Sequence, residues 1–197
     1  MPLWGKTDAD ESKPKHLTTA QKKEVYAAAG GWVIESGSTM SGNSNTSATP
    51  EIIVAMGGLQ AGIGSADITE IEWITTAASR AAGFTLSMRV RFNEAVDVVT
   101  SGGTPTLSVT NGNEGSGTGR GPHLLAYASG TATNELVFSL AIAADNAATN
   151  ADDVLVIGAN AMALNAGTIK DAGTSTNSTI TQLAAIGTAA GSITVTA

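Results

Sequence analysis

The chain has 197 residues, 42% of them hydrophobic and 14% charged, with no Cys and two His, so a core can be buried without disulfides, while thiolate nucleophiles, Cys-based zinc sites and His-rich metal cages are excluded. A formal charge of −7 repels phosphate backbones and disfavours nucleic-acid binding by the surface as a whole. Apolar runs are short and broken by Gly, Asn or charge, so neither a membrane span nor a secretion signal is expected.

The first segment mixes charge, with Lys6, Lys13, Lys15, Lys22 and Lys23 against Asp8, Asp10, Glu11 and Glu24. Pro2 and Pro14 favour an extended path. LTTAQKKEVYAAAGG then predicts one short helix over about residues 18–29, with Thr18 and Gln21 at capping-box spacing and Gly30-Gly31 as its stop. After the apolar Trp32-Val33-Ile34, the Ser, Gly, Asn and Thr of residues 36–50 predict a flexible loop. EIIVAM at 51–56 predicts a strand, and the glycines of GGLQAGIG a hinge, which sets a boundary near Ser65. Residues 1–65 therefore read as an N-terminal anchoring arm with too little apolar surface for a core of its own.

From Asp67 onward the period becomes two. FTLSMRVRF sets Phe84, Leu86, Met88, Val90 and Phe92 on one face and Thr85, Ser87, Arg89 and Arg91 on the other. ELVFSLAI repeats the pattern with Leu136, Phe138, Leu140 and Ile142 inward, and shorter runs pair Leu107 with Val109, Leu125 with Tyr127, Val154 with Val156, and Ile193 with Val195. Gly/Asn/Asp turns separate them. The expected fold is all-β, an antiparallel β-sandwich over residues 66–197 preceded by the arm.

No catalytic constellation emerges. GNEGSGTGRGP has Arg120 where a dinucleotide loop needs Gly, GIGSAD has Asp67 there, and neither carries Gly-Lys-Ser/Thr, so phosphate-loop chemistry and a bound cofactor are not expected. His123 and Ser129 lack a nucleophile elbow, and His123 reads as a structural residue at a strand start. Asp145, Asp152 and Asp153 bracket one loop and are weak calcium candidates without EF-hand spacing, as are Glu94 and Asp97 after a strand end. Trp73 shares a strand face with Ile71 and is expected in the core. Trp4, Tyr26 and Trp32 fall in the arm and are the candidate partner-binding residues, the alternative being that they pack back on the sandwich.

Phe92 to Val96, Gly103 to Leu107, Ala126 to Thr133, Leu136 to Phe138 and Ile169 to Ala172 together resemble the bacterial Ig-like (Big-type) repeat of large surface proteins, adhesins and virion proteins, here as a single copy. The opening MPLWGKTDADESKPKHLTTAQKKEVYA is similar to the start of structural proteins of large tailed phages, including those of cyanobacteria. These resemblances imply a non-enzymatic virion protein, made in the host cytoplasm. In that reading the arm attaches to the major capsid protein or another virion protein and an Ig-like sandwich faces outward as a capsid decoration or cement module. A tail or neck accessory protein, or a carbohydrate-binding adhesion module touching surface glycans through residues 111–122 and 143–153, is the alternative. A homo-oligomer, for instance a trimer, is expected of such a surface.

Overall fold

Thr18 opens the first element by exchanging bonds with Gln21: its Oγ1 accepts from the Gln21 backbone N–H, and Gln21 Oε1 accepts from the Thr18 backbone N–H. The computed structural model describes residues 13–113 and 122–197. The helix this capping box starts, α1 (Thr19–Lys23), stops at Lys23 instead of running to residue 29. Val25 and Tyr26 prefer an extended backbone and enter β1 (Val25–Ala28), which pairs antiparallel with β2 (Gly31–Ile34). The Gly pair expected to end a helix thus closes a hairpin. Gly31, at φ +131°, lies so close to the next strand that a Cβ would meet Val54 O at 2.0 Å. That strand, β3 (Glu51–Ala55), adds antiparallel to β2, and α2 (Leu59–Gly62) follows.

These elements enclose a small buried cluster of Val25, Ala27, Trp32, Ile34 and Leu59, flanked by Leu17, Met40, Ile53, Val54, Met56 and Ile63. The expectation of an extended arm without its own core is corrected here. Three short strands stacked as a meander pool apolar faces that would be too small one by one. Residues 36–50, expected to be a flexible loop, form a chain of turns closed by their own side chains. Ser38 caps a 3-10 turn (Thr39–Ser41), Asn43 Oδ1 accepts from Asn45 N–H, Asn45 Oδ1 accepts from Ser47 N–H, and Ser36 Oγ donates to Ala48 O.

The rest of the chain supplies β4 (Ile68–Trp73), β5 (Ala78–Ser79), β6 (Phe84–Val99), β7 (Thr106–Asn113), β8 (His123–Ser129), β9 (Thr133–Ile142), β10 (Asp153–Ala163), β11 (Thr168–Asp171), α3 (Ala184–Ala189) and β12 (Ser192–Thr196). The fold is β-rich, with one large mixed sheet in the order β3-β2-β1-β6-β9-β8-β7-β10-β12-β5. The 16-residue β6 is its hub. It pairs antiparallel with β9 on one edge and, on the other, with β4 along residues 88–92 and with β11 along residues 96–99, and takes one parallel pairing from β1 at Ala27↔Glu94. The sheet folds back on itself between β4 and β10: α3 packs against both strands, and Trp73 Nε1 donates to Gly191 O, just before β12.

Inside lies one apolar cluster that draws on β4, β6 to β9, β10, β11 and β12, with Leu86, Met88, Val90, Leu107, Leu125, Leu136, Phe138 and Leu155 fully buried and Trp73 packed at its margin. In β10 the inward residues are Leu155 and Ile157, not Val154 and Val156. VLVI is apolar at every position, so its period carries no face information. The pairing Leu155↔Ile193 decides the face. Among the described residues no helix is long and apolar enough to cross a membrane.

Candidate functional site

Period two places Arg91 on the polar face of β6, and the neighbouring strands complete a row there. In register, Arg91 stands opposite Glu70 of β4 on one side and Glu135 of β9 on the other, while Arg89 stands opposite Glu72. Opposite charges directly across a sheet attract, and here one guanidinium serves both neighbours. Arg91 Nη1 lies 2.8 Å from Glu70 Oε2 and 3.1 Å from Glu72 Oε2, and Nε lies 2.7 Å from Glu135 Oε1. Nη2 reaches out of the sheet to Glu35 Oε1, 2.9 Å away, just past the end of β2.

That last bond brings the N-terminal meander over the polar face of β6. Alternation therefore fails between Val90 and Glu94, where every residue is buried: the core lies beneath one face and the meander covers the other. A second bridge, Lys23 to Glu70, and the seat of Gln60 against Gly173, where a Cβ would lie 2.6 Å from the amide side chain, add to the junction.

The junction is not filled. A cleft of about 710 Å³ remains between the two parts, floored by Arg89, Arg91, Glu35 and Glu135, walled by Glu24, Tyr26 and residues 36–39, and bordered by the β8–β9 turn at Ser129 and Gly130. Its volume is that of a small-molecule site, but its lining is polar.

Charge in this space is uneven. Burial and the nearby Glu135 charge push the Glu35 carboxyl up to about 7, with the Arg91 guanidinium and the Asn134 amide pulling only partly the other way. Burial and the same two carboxylates raise the Tyr26 hydroxyl above its ordinary value. Glu70 moves in the opposite direction: burial works to raise it, but its bonds to Lys23 and Arg91 outweigh that and hold it below the usual carboxylate range. For Arg91, burial favours the neutral form, yet Glu35, Glu70 and Glu135 more than offset it and keep the guanidinium firmly charged. Glu35 Oε2 is buried with no hydrogen-bond partner.

Of the residues expected to bind a partner, Trp32 is fully buried in the meander and Tyr26 is 8% exposed at the cleft wall. Neither presents a surface anchor, which corrects that expectation. They are held by the chain's own N-terminal cluster and by the junction with β6. Trp4 lies outside the described residues, as do residues 114–121 of the loop proposed for glycans. Asp145, Asp152 and Asp153 do not converge. Asp145 pairs with Arg80 at 3.1 Å, buried Asp153 accepts from its own turn at Asn150 N–H, and among the described residues no three His, Cys, Asp or Glu side chains form a metal-holding group.

His123 is buried beside Thr149 Oγ1, with burial lowering its imidazole pKa, and Ser129 lies at the far, exposed end of the same strand. The two cannot act together. No family model, no curated protein and no solved structure matches the chain.

Proposed function

We propose that the protein is a non-enzymatic virion structural module whose N-terminal meander attaches to a neighbouring virion protein while an Ig-like sandwich of residues 66–197 is displayed outward, as in a capsid decoration protein. The observation that carries this reading is the open edge of the sheet at β3. Strand β3 ends the sheet order, and among the described residues nothing pairs with its outer edge, where Ile52 is 58% exposed. An unpaired, apolar edge strand is a template for another chain.

Two further features agree with it. Of the segments that resemble the Ig-like repeat, Leu107 lies in β7, the turn between Ala126 and Thr133 joins β8 to β9 and Ile169 lies in β11, while Phe92 to Val96 continues within β6 instead of ending a strand. The charged floor of the cleft is spent on internal ion pairs, with every nitrogen of Arg91 given to a carboxylate, which suits a structural junction better than a reaction centre.

Lysine cross-linking with mass spectrometry on intact particles tests the proposal. Lys15, exposed, and Lys23 report on the meander, whereas Lys13, 6% exposed with its Nζ donating to Val25 O, reacts poorly. Links from these residues to the main shell protein are expected. Links to tail or neck proteins assign the accessory role instead, and absence from particles overturns the reading.

A further inference from the structure

We infer that two copies of the chain associate through β3, edge to edge and antiparallel about a two-fold axis, so that their sheets run on as one. This rests on the open edge that carries the virion reading, and it makes the neighbour seated there a second copy of this chain.

The edge asks for a strand. Among the described residues β3 is paired on one side only, by β2, and no backbone hydrogen bond reaches residues 51–55 from the other. Alternate N–H and C=O groups of such a strand point outward unpaired. Its side chains lack a neighbour as well. Cross-strand pairing sets Tyr26, Val33 and Ile52 in one row. Tyr26 is 8% and Val33 4% exposed, whereas Ile52, last in the row, is 58% exposed. Ile53, Val54 and Met56 lie half-buried at the margin of the N-terminal cluster.

The strand that fits there is β3 itself. An occupant has to be extended, apolar in its middle and free of an acidic group opposite Glu51. EIIVA meets all three conditions. Ile52, Ile53 and Val54 are β-branched and suit a strand, and Glu51 is the only charge among the five residues. Antiparallel pairing about a two-fold sets the two Glu51 side chains at opposite ends of the ladder, each toward Ala55 of the other copy. Like charges directly opposite, which destabilise a sheet, are thereby avoided. No Lys interrupts the strand to guard it against pairing.

The other end of the sheet does not compete. β5 has two residues, Ala78 is buried, Ser79 Oγ donates to Ala197 O, and the Arg80 N–H beside them donates to Thr196 O. A head-to-tail ribbon of β3 on β5 therefore lacks a template, and the two-fold pair closes after two copies. Pro50 before the strand and the bulge at Ile53 keep the ladder to the five residues of β3. A contact of that length falls below the roughly 1,000 Å² of a stable interface, so the association is weak and reversible.

Sedimentation equilibrium of the purified full chain, from micromolar to millimolar, tests this. A reversible monomer–dimer equilibrium is expected. Ile52→Lys sets two ammonium groups near the two-fold axis and is expected to weaken it about tenfold or more, with the melting curve kept because Ile52 is exposed. The chain has no Cys, so single cysteines report the geometry. A short bis-maleimide is expected to link copies of Ile52→Cys faster than copies of Leu124→Cys, an exposed position on β8, well away from β3 in the sheet order. A chain that stays monomeric at millimolar, a dimer that Ile52→Lys leaves intact, or equal linking at the two cysteine positions overturns the inference. Where Ile52→Lys does not fold, the two cysteine variants decide. A dimer in solution that is absent from particles upholds the pairing and overturns the virion reading, and a monomer that still links to the shell protein does the reverse.

Discussion

Arg91 Nη2 donates to Glu35 Oε1 at 2.9 Å across 56 positions of sequence, and this bond helps to join the two buried clusters of the described residues. One cluster is built from residues 17–63, the other starts at Ala66. Between them the sheet contributes one parallel pairing, Ala27↔Glu94, so side chains carry much of the docking. A guanidinium suits the task because its planar fork serves carboxylates in the sheet and above it at once.

Arg91→Ala follows from that arrangement. Removing one partner of a buried ion pair leaves the other charges desolvated and uncompensated, which costs about 3–5 kcal/mol. Glu35, Glu70 and Glu135 would all lose their shared cation. The expected outcome is a lower urea midpoint and faster proteolytic cleavage in residues 36–65 than in the strands of the larger cluster. Unchanged protection of that segment would mean the meander is held by its apolar contacts alone.

How much of this was legible from sequence differs by level. The alternation in residues 84–90 and 135–142 set the larger cluster correctly, because a half-buried strand must segregate its side chains by parity. The hairpin at Ala29-Gly30 was not legible. YAAAGG serves a helix stop and a strand turn alike, and only the partner strand β3 decides between them. Arg91 was assigned to the polar face, as it is, but its burial depends on a meander that no local pattern announces. One signal was present: Glu70 and Glu72 share the two-residue spacing of Arg89 and Arg91, and two strands with such matched pairs align as a charge ladder. Glu35 could not be read from sequence, since it meets Arg91 only after the meander folds back.

Trp32→Ala and Phe138→Ala separate the two clusters. Both side chains are fully buried, and each truncation is expected to cost about 3–5 kcal/mol through lost burial and the cavity left behind. The consequences differ in place. Phe138 sits in the centre of the large cluster, where Met88 pairs with it across β6–β9 and Tyr127 meets its ring edge-on at 6.0 Å, so its loss lowers the midpoint of the whole molecule. Trp32 supports only the meander. Its variant is expected to expose amides of residues 25–55 to hydrogen exchange while those of β6 and β9 stay protected. Equal exposure of both regions would show one cooperative unit.

The pH dependence of stability isolates Glu35. Its folded-state value, about 7, lies above its ordinary value near 4.5, so between these limits the native chain holds a proton that the unfolded chain has released. Stability from this group is then fully present below about pH 4.5 and is lost as pH rises through about 7. The groups facing it, Glu24 and Tyr26 from the meander, Arg89 and Arg91 from β6 and Glu135 from β9, are shared by the Glu35→Gln variant, so the difference between the two proteins cancels their titration to first order. Glu70 acts with the opposite sign, losing its contribution on acidification, because its folded-state value is depressed by Lys23 and Arg91. Unfolding midpoints of wild type relative to Glu35→Gln, measured from pH 4 to 9, are expected to fall as pH rises from about 4.5 to about 7 and to level off above neutrality. A flat difference would mean that Glu35 keeps an ordinary carboxylate in the folded chain, and the cleft would then carry one more negative charge at neutral pH.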